Sequence, residues 1–226
     1  MRRHCRPLVA AACAAVVLSS AVVLSSAAGA ANPGKEKIRF NAADQAAARA
    51  AVLRRSDLGA GWSGGRTKPD LSPAPTCPNY HPKQSDLVLT GAAESDFRRA
   101  GMEVDSEVQV LRTARMVSLD WQRSVVAPGA LPCLRSLLAK GLGTTATVVS
   151  FRRLPFPKLT RYTAAFRAVV AVKIGQTTVR VVVDAVLVGR RRSEITLNVA
   201  APSAVAAALP AAERRLARKI LARARA

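Results

Sequence analysis

The chain has 226 residues, 50% of them apolar, with 35 lysines and arginines against 14 acids and a formal charge of +21. Aromatic residues make up only 4%, so stacking-based recognition of bases or sugars has few residues to use. The excess charge favours anionic partners such as envelope polymers, anionic lipid or nucleic acid, at affinities that salt weakens.

Arg2, Arg3 and Arg6 precede an apolar run from Leu8 to Leu24, and small residues then lead to Ala28-Gly29-Ala30. That is the layout of an export signal cleaved near residue 30; the alternative is a retained anchor. Residues 31–226 are expected to form a single domain, secreted or held at the extracellular face of the cell envelope. No later apolar stretch in this sequence is long enough to span a bilayer. Cys5 and Cys13 fall in the signal, which leaves Cys77 and Cys133 as an even pair in an exported chain, expected to form one disulfide.

NAADQAAARAAVLRRS, residues 41–56, predicts a helix capped by Asn41 and stopped by Gly59 and Gly61. Residues 64–82 are rich in Pro, Gly and Ser and predict a loop that carries Cys77. In MEVDSEVQVLR the alternation predicts a strand, with Glu103, Asp105 and Glu107 on a solvated face. Thr113 caps a helix with Val117, Trp121 and Val125 on one side, and Asp120 is expected to pair with Arg123 on its surface. LPCLRSLLAKGLG predicts a second short helix, with Pro132 in its first turn and Cys133 beside it.

After Gly143 the segments TTATVVSFRRL, YTAAFRAVVAVKI, TTVRVVVDAVLV and SEITLNVA read as strands. The last three are joined by tight connections at Gly175-Gln176 and Gly189 to Arg192, so they run antiparallel. Ser203 caps a terminal helix, kinked or restarted at Pro210, whose Leu216 and Ile220 are expected to dock on the sheet, the alternative being a helix laid against an anionic surface. The fold class is therefore α+β, a twisted antiparallel sheet of about five strands packed against helices. Charge is uneven along it: residues 31–121 hold 13 basic and 11 acidic groups, residues 122–226 hold 19 and 3.

GAGWSGG contains Gly-x-Ser-x-Gly, which in hydrolases carries a nucleophile on a strand-to-helix turn. Here a helix precedes Ser63 and a Pro-rich loop follows. His81, 18 residues on, is the one histidine beyond the signal, with no strand between to organise a triad. A single histidine and a cystine cannot supply a zinc tetrad, and phosphate-loop and dinucleotide motifs are absent from the sequence. The expectation is a protein without catalytic residues, metal or cofactor. Arg167, Arg180 and Asp184 share a parity on neighbouring strands, on a mixed polar face offered to an anionic or polar ligand.

Asp57 to Trp62 after the first helix, Cys77 in the next loop and the Trp121 helix with Cys133 beyond it resemble the secreted sensor-like domains of high-GC bacteria, the PknH-type extracellular domain among them. The resemblance implies helices around a twisted antiparallel sheet with a cleft, and ligand sensing at the cell surface; members can hold more than this one cystine. A secreted, non-enzymatic ligand-binding or sensor-like module is the reading that follows. A basic electrostatic binder of anionic polymers or nucleic acid is the alternative, with a serine hydrolase behind it.

Overall fold

The computed structural model describes residues 35–71, 77–78 and 80–226. The expected signal, residues 1–30, lies outside them. Eight strands form one sheet: β1 (Lys37–Ile38), β2 (Ser63–Thr67), β3 (Val88–Arg99), β4 (Met102–Leu111), β5 (Ala146–Arg153), β6 (Tyr162–Ile174), β7 (Thr177–Arg190) and β8 (Ser193–Pro202). Their order is β1-β3-β4-β8-β7-β6-β5, and β2 pairs β3 on the same side as β1. Every pairing is antiparallel except β1 with β3.

The α+β class and the antiparallel sheet stand as expected, and the sheet is wider. Strands β1 to β3 add to the five that the sequence predicts, and β2 occupies the start of what reads as loop. The turn Gly175-Gln176 joins β6 to β7, and Arg191-Arg192 joins β7 to β8. Gly175 sits at φ +60° and Arg191 at +52°, the left-handed backbone that two-residue hairpins need.

The first helical segment is two helices, α1 (Ala42–Ala51) and α2 (Arg55–Leu58). Asn41 caps α1, its Oδ1 accepting from the Asp44 amide at 2.9 Å. Val52 leaves helical geometry, and Leu53 donates its amide to Ser106 Oγ at 2.9 Å, which draws the break onto the sheet. Three further helices follow: α3 (Ala114–Asp120), α4 (Ala130–Gly141) and α5 (Leu209–Arg223). A π-helical turn, Trp121–Val126, continues α3, and a 3₁₀ turn, Ser203–Val205, precedes α5.

Both faces of the sheet are covered. On one face Phe97, Val104, Val108, Leu197, Val186 and Val182 meet Val52 and Leu53 after α1 and Leu216 and Ile220 of α5. On the other, Phe166 and Ala164 meet Trp121 and Val125, while Val170, Val181 and Val183 meet Leu138 and Leu142. The chain supplies cover for each face, from its two ends for one and from residues 114–141 for the other. The polar face that the sequence predicts for solvent is therefore interior.

Cys77 and Cys133 are bonded, with Cα atoms 5.7 Å apart, and pack with Leu137 and Tyr80. The bond closes a loop of sequence separation 56 that contains β3, β4 and α3. Replacing both cysteines with serine is expected to cost about 4 kcal/mol by the chain-entropy account. A urea midpoint that does not move on reduction would contradict it.

Candidate functional site

Strand β4 carries Glu103, Asp105, Glu107 and Gln109 on the face beneath the α3–α4 layer, and all four are buried. The sequence reading places Glu103, Asp105 and Glu107 in water. The structure corrects this, because the helical layer and residues 68–71 close over that side of β3 and β4. Glu94 on β3 accepts from the Asp70 amide at 3.2 Å, and Asn198 on β8 donates to Asp105 at 3.0 Å. Gln109 donates to Glu107 at 2.7 Å, and the second Glu107 oxygen has no partner.

Asp120 is also corrected. It does not pair with Arg123, whose guanidinium instead forks onto Asp86 at 2.7 and 3.0 Å. Asp120 is 3% exposed, and its Oδ1 accepts from Gln84 and from Ser124, each at 2.7 Å. Glu194 of β8 hydrogen-bonds the same carboxyl. Burial raises both groups, and the shared bond raises Glu194 while lowering Asp120. Burial thus favours a proton shared between the two carboxyls over two buried charges.

This pair forms the polar end of a cavity of about 50 Å³ between the sheet and the helical layer. Ser124 and Thr196 join it there, and Trp121, Val125, Phe151, Phe166 and Leu187 make apolar walls. The π-helical turn supplies Trp121, Ser124 and Val125, so the irregular turn is the cavity's roof. Arg153 braces the roof, donating to the Val125 carbonyl at 3.1 Å with its guanidinium 5.4 Å from the Phe166 ring. Tyr80, beside the disulfide, donates to the Arg123 carbonyl and pins the other side.

Glu36 joins the cluster from the segment before β1. Burial, then Asp120 and Glu107, lifts it to about 8. Burial lifts Glu107 to about 8 as well, and Glu213, under Asp184 on the opposite face, to about 9. The folded state thus binds these protons more tightly than the unfolded chain, whose glutamates titrate near 4.5. Their stabilisation is complete below that value and is lost as pH rises through 8 to 9. Asp44, Asp57 and Asp86 are lowered by their arginines, so their contribution falls away only on the acid side of 3.8. Melting temperature should therefore decline steadily from pH 5 to pH 9, and Glu107→Gln with Glu213→Gln should flatten that slope. A flat wild-type profile would count against the protonated interior.

The three residues expected to share a ligand-binding face are separated by burial. Arg167 and Asp184 are cross-strand partners, bonded in a fork at 2.6 and 2.5 Å, and Arg167 also donates to the Ala206 carbonyl. Asp184 is 0% and Arg167 8% exposed, beneath the segment that leads into α5. Arg180 is exposed near the start of β7. Removing one partner strands a buried charge, so Arg167→Ala is expected to cost about 3–5 kcal/mol, and Arg167→Leu with Asp184→Leu far less. Equal losses for single and double variants in denaturant unfolding would contradict this.

Ser63 sits exposed on β2 and donates to the Arg98 carbonyl at 3.2 Å. His81 Nε2 faces the Pro78 carbonyl at 3.2 Å, and neither side chain bonds the other. Trp62 turns inward against the core, at 7% exposure. Among the described residues no group of three or more His, Cys, Asp or Glu is placed to hold a metal ion, and no helix is long and apolar enough to cross a membrane.

Fold and site together define an α+β domain with one cystine and a small amphipathic cavity. No family model matches the chain, and no curated protein matches it. Among solved structures it is similar to the Ran-binding protein Mog1p of Saccharomyces cerevisiae, at TM-score 0.32 and 10% identity, over 57% of this chain and 77% of that one. That likeness is too distant to carry a fold family or a function across.

Proposed function

We propose that the protein is a secreted, non-enzymatic ligand-binding or sensor-like module of the bacterial cell envelope, whose ligand inserts one group between the sheet and the α3–α4 layer. The cavity with apolar walls and a single polar end carries this reading, since small-molecule sites combine apolar walls with a few placed polar groups. Its size suits an inserted group rather than a whole ligand. The Asp120–Glu194 pair, with Ser124 and Thr196 beside it, supplies the few placed polar groups that such a site needs. The resemblance to PknH-type domains points the same way.

The test is a thermal-shift screen with envelope lipids and glycans, since a ligand of the folded state raises the melting temperature by mass action. Ala185→Leu, which fills the cavity, should keep the unliganded melting temperature within a few degrees and abolish the shift. A shift that survives in this variant places the ligand elsewhere; a wild type unmoved by every compound defeats the reading.

A second reading, a salt-sensitive binder of anionic envelope polymers or nucleic acid, is favoured by one observation. None of the 14 carboxylate residues is exposed beyond an intermediate degree, whereas every lysine and arginine from residue 35 onward is exposed, apart from Arg123, Arg167, Arg192, Lys219 and Arg223. The outer surface is therefore predominantly positive.

A further inference from the structure

A second, larger hollow of about 590 Å³ opens between the α1–α2 corner and the outer strand β2. Arg49, Arg54, Arg55 and Arg66 line it, with Gly64 and Gly65 on the strand side and Phe97 on the floor. All four arginines are exposed. Among the described residues the Arg54 guanidinium gives one bond to the Ala50 carbonyl at 3.0 Å, and the side chains of Arg49, Arg55 and Arg66 have no hydrogen-bond or ion-pair partner.

The nearby carboxylates are already committed. Asp57 is held by Arg223 at 2.8 Å and Lys219 at 3.6 Å, and Asp96 by Arg98 at 2.6 Å. No carboxylate lines the hollow, so its four like charges lack an internal counterion.

The glycines point to a ligand independently of the charge. Gly64, at φ +120°, is demanded by the fold, because a Cβ there would lie 2.1 Å from the Asp96 carbonyl oxygen. Gly65 has no such excuse: its φ is ordinary and a Cβ would meet nothing within 4 Å. A glycine inside a strand costs backbone entropy, and one that the fold does not require marks a place where something approaches the backbone closely. Among the described residues strand β2 pairs with β3 alone, so alternate amides on its far side have no strand partner there.

We infer that this hollow is a binding site for a phosphate group, gripped by the guanidinium forks of Arg49, Arg55 and Arg66 and set against the bare backbone at Gly65. Guanidinium matches phosphate oxygens in bidentate fashion, and a tetrahedral anion with several acceptor oxygens can satisfy several forks at once. The phosphate belongs either to a free phosphorylated molecule or to a lipid headgroup. The site rests on the surface-charge reading only for the sign of its ligand, and it is separate from the cavity beside Trp121.

The experiment titrates the disulfide-bonded protein with inorganic phosphate by calorimetry and, in a second arm, with phosphatidylglycerol vesicles in a sedimentation assay, both at low salt. Two variants remove equal charge from exposed positions: Arg49→Gln/Arg55→Gln/Arg66→Gln in the hollow, and Arg190→Gln/Arg214→Gln/Arg218→Gln away from it. The first should weaken binding about tenfold or more, the worth of at least one charge-assisted contact, and the second by less than about threefold, as long-range screening allows. Gly65→Ala should weaken binding without lowering the melting temperature. Loss confined to the hollow variant in the phosphate arm supports a free phosphate ligand, and the same loss in the vesicle arm alone supports a lipid headgroup. Equal loss in both variants removes the site and leaves a diffuse cationic surface. No binding by the wild type in either arm removes the site and the surface-charge reading together.

Discussion

A helix layer on each side of the β3–β4–β8–β7 strip takes water from both faces at once. The two-residue alternation that normally keeps a strand's acids wet then has no wet side to use. Glu103, Asp105 and Glu107 alternate faithfully with Val104, Ser106 and Val108, and the pattern still leaves both sets buried. An ionised carboxylate in such a place costs several kcal/mol unless a cation meets it, so the cheaper answer is to hold the proton. The raised groups Glu36, Asp105, Glu107, Asp120 and Glu194 all lie on this one covered side.

That answer changes the outside of the molecule as well. The formal charge of +21 assumes every acid ionised. Groups lifted to about 8 and 9 are protonated at neutral pH, so the real charge is more positive still. The acids that do stay near the surface are spent on clamps. Arg192 in the β7–β8 turn forks onto Asp44 at 2.7 and 3.0 Å, and Arg223 ties α5 to Asp57 and to the Ala51 and Val52 carbonyls. These bonds join the last strand turn and the last helix to the first helical corner. Most of the other arginines are exposed, and Arg49, Arg55 and Arg66 have no carboxylate to answer them.

Much of the fold was legible. The β-branched density of residues 162–174, 177–190 and 193–202 and the two-residue links between them dictate adjacent antiparallel strands. Asn41 and Thr113 announce helix starts through side-chain oxygens that accept from Asp44 and Met116. Strand β3 was not legible because VLTGAAESDFRR has small and polar residues where a strand signal needs bulk, and α1 packs closely over it. A Cβ on Gly91 would lie 2.4 Å from the Asp44 carbonyl oxygen, so the helix needs that smallness. The site was legible only in pieces. Trp121 and Val125 stood out as an inward face, but nothing in WQRSVV announces a π-helical turn. Asp120 has an arginine three residues on, which suggested a surface pair; burial instead hands it to Gln84, Ser124 and Glu194.

Strand parity identifies the residues that share a face, and the cross-strand partner then decides what an acid on that face becomes. Asp184 and Glu107 are both acids in central strands, both nearly free of exposed surface. Opposite Asp184 stands Arg167, and the two form a forked ion pair inside the core. Opposite Glu107 stand Glu94 on β3 and Thr196 on β8, and no cation is near enough to hold its charge. One register step would bring Arg98 no closer, because that arginine is already engaged with Asp96 and Glu103 at the strand's end. A sheet in which one acid is matched and its neighbours are not has a rigid side and a polar, proton-holding side. The cavity lies on the second, where Glu194 bonds Asp120 and Thr196 shares the register of Glu107.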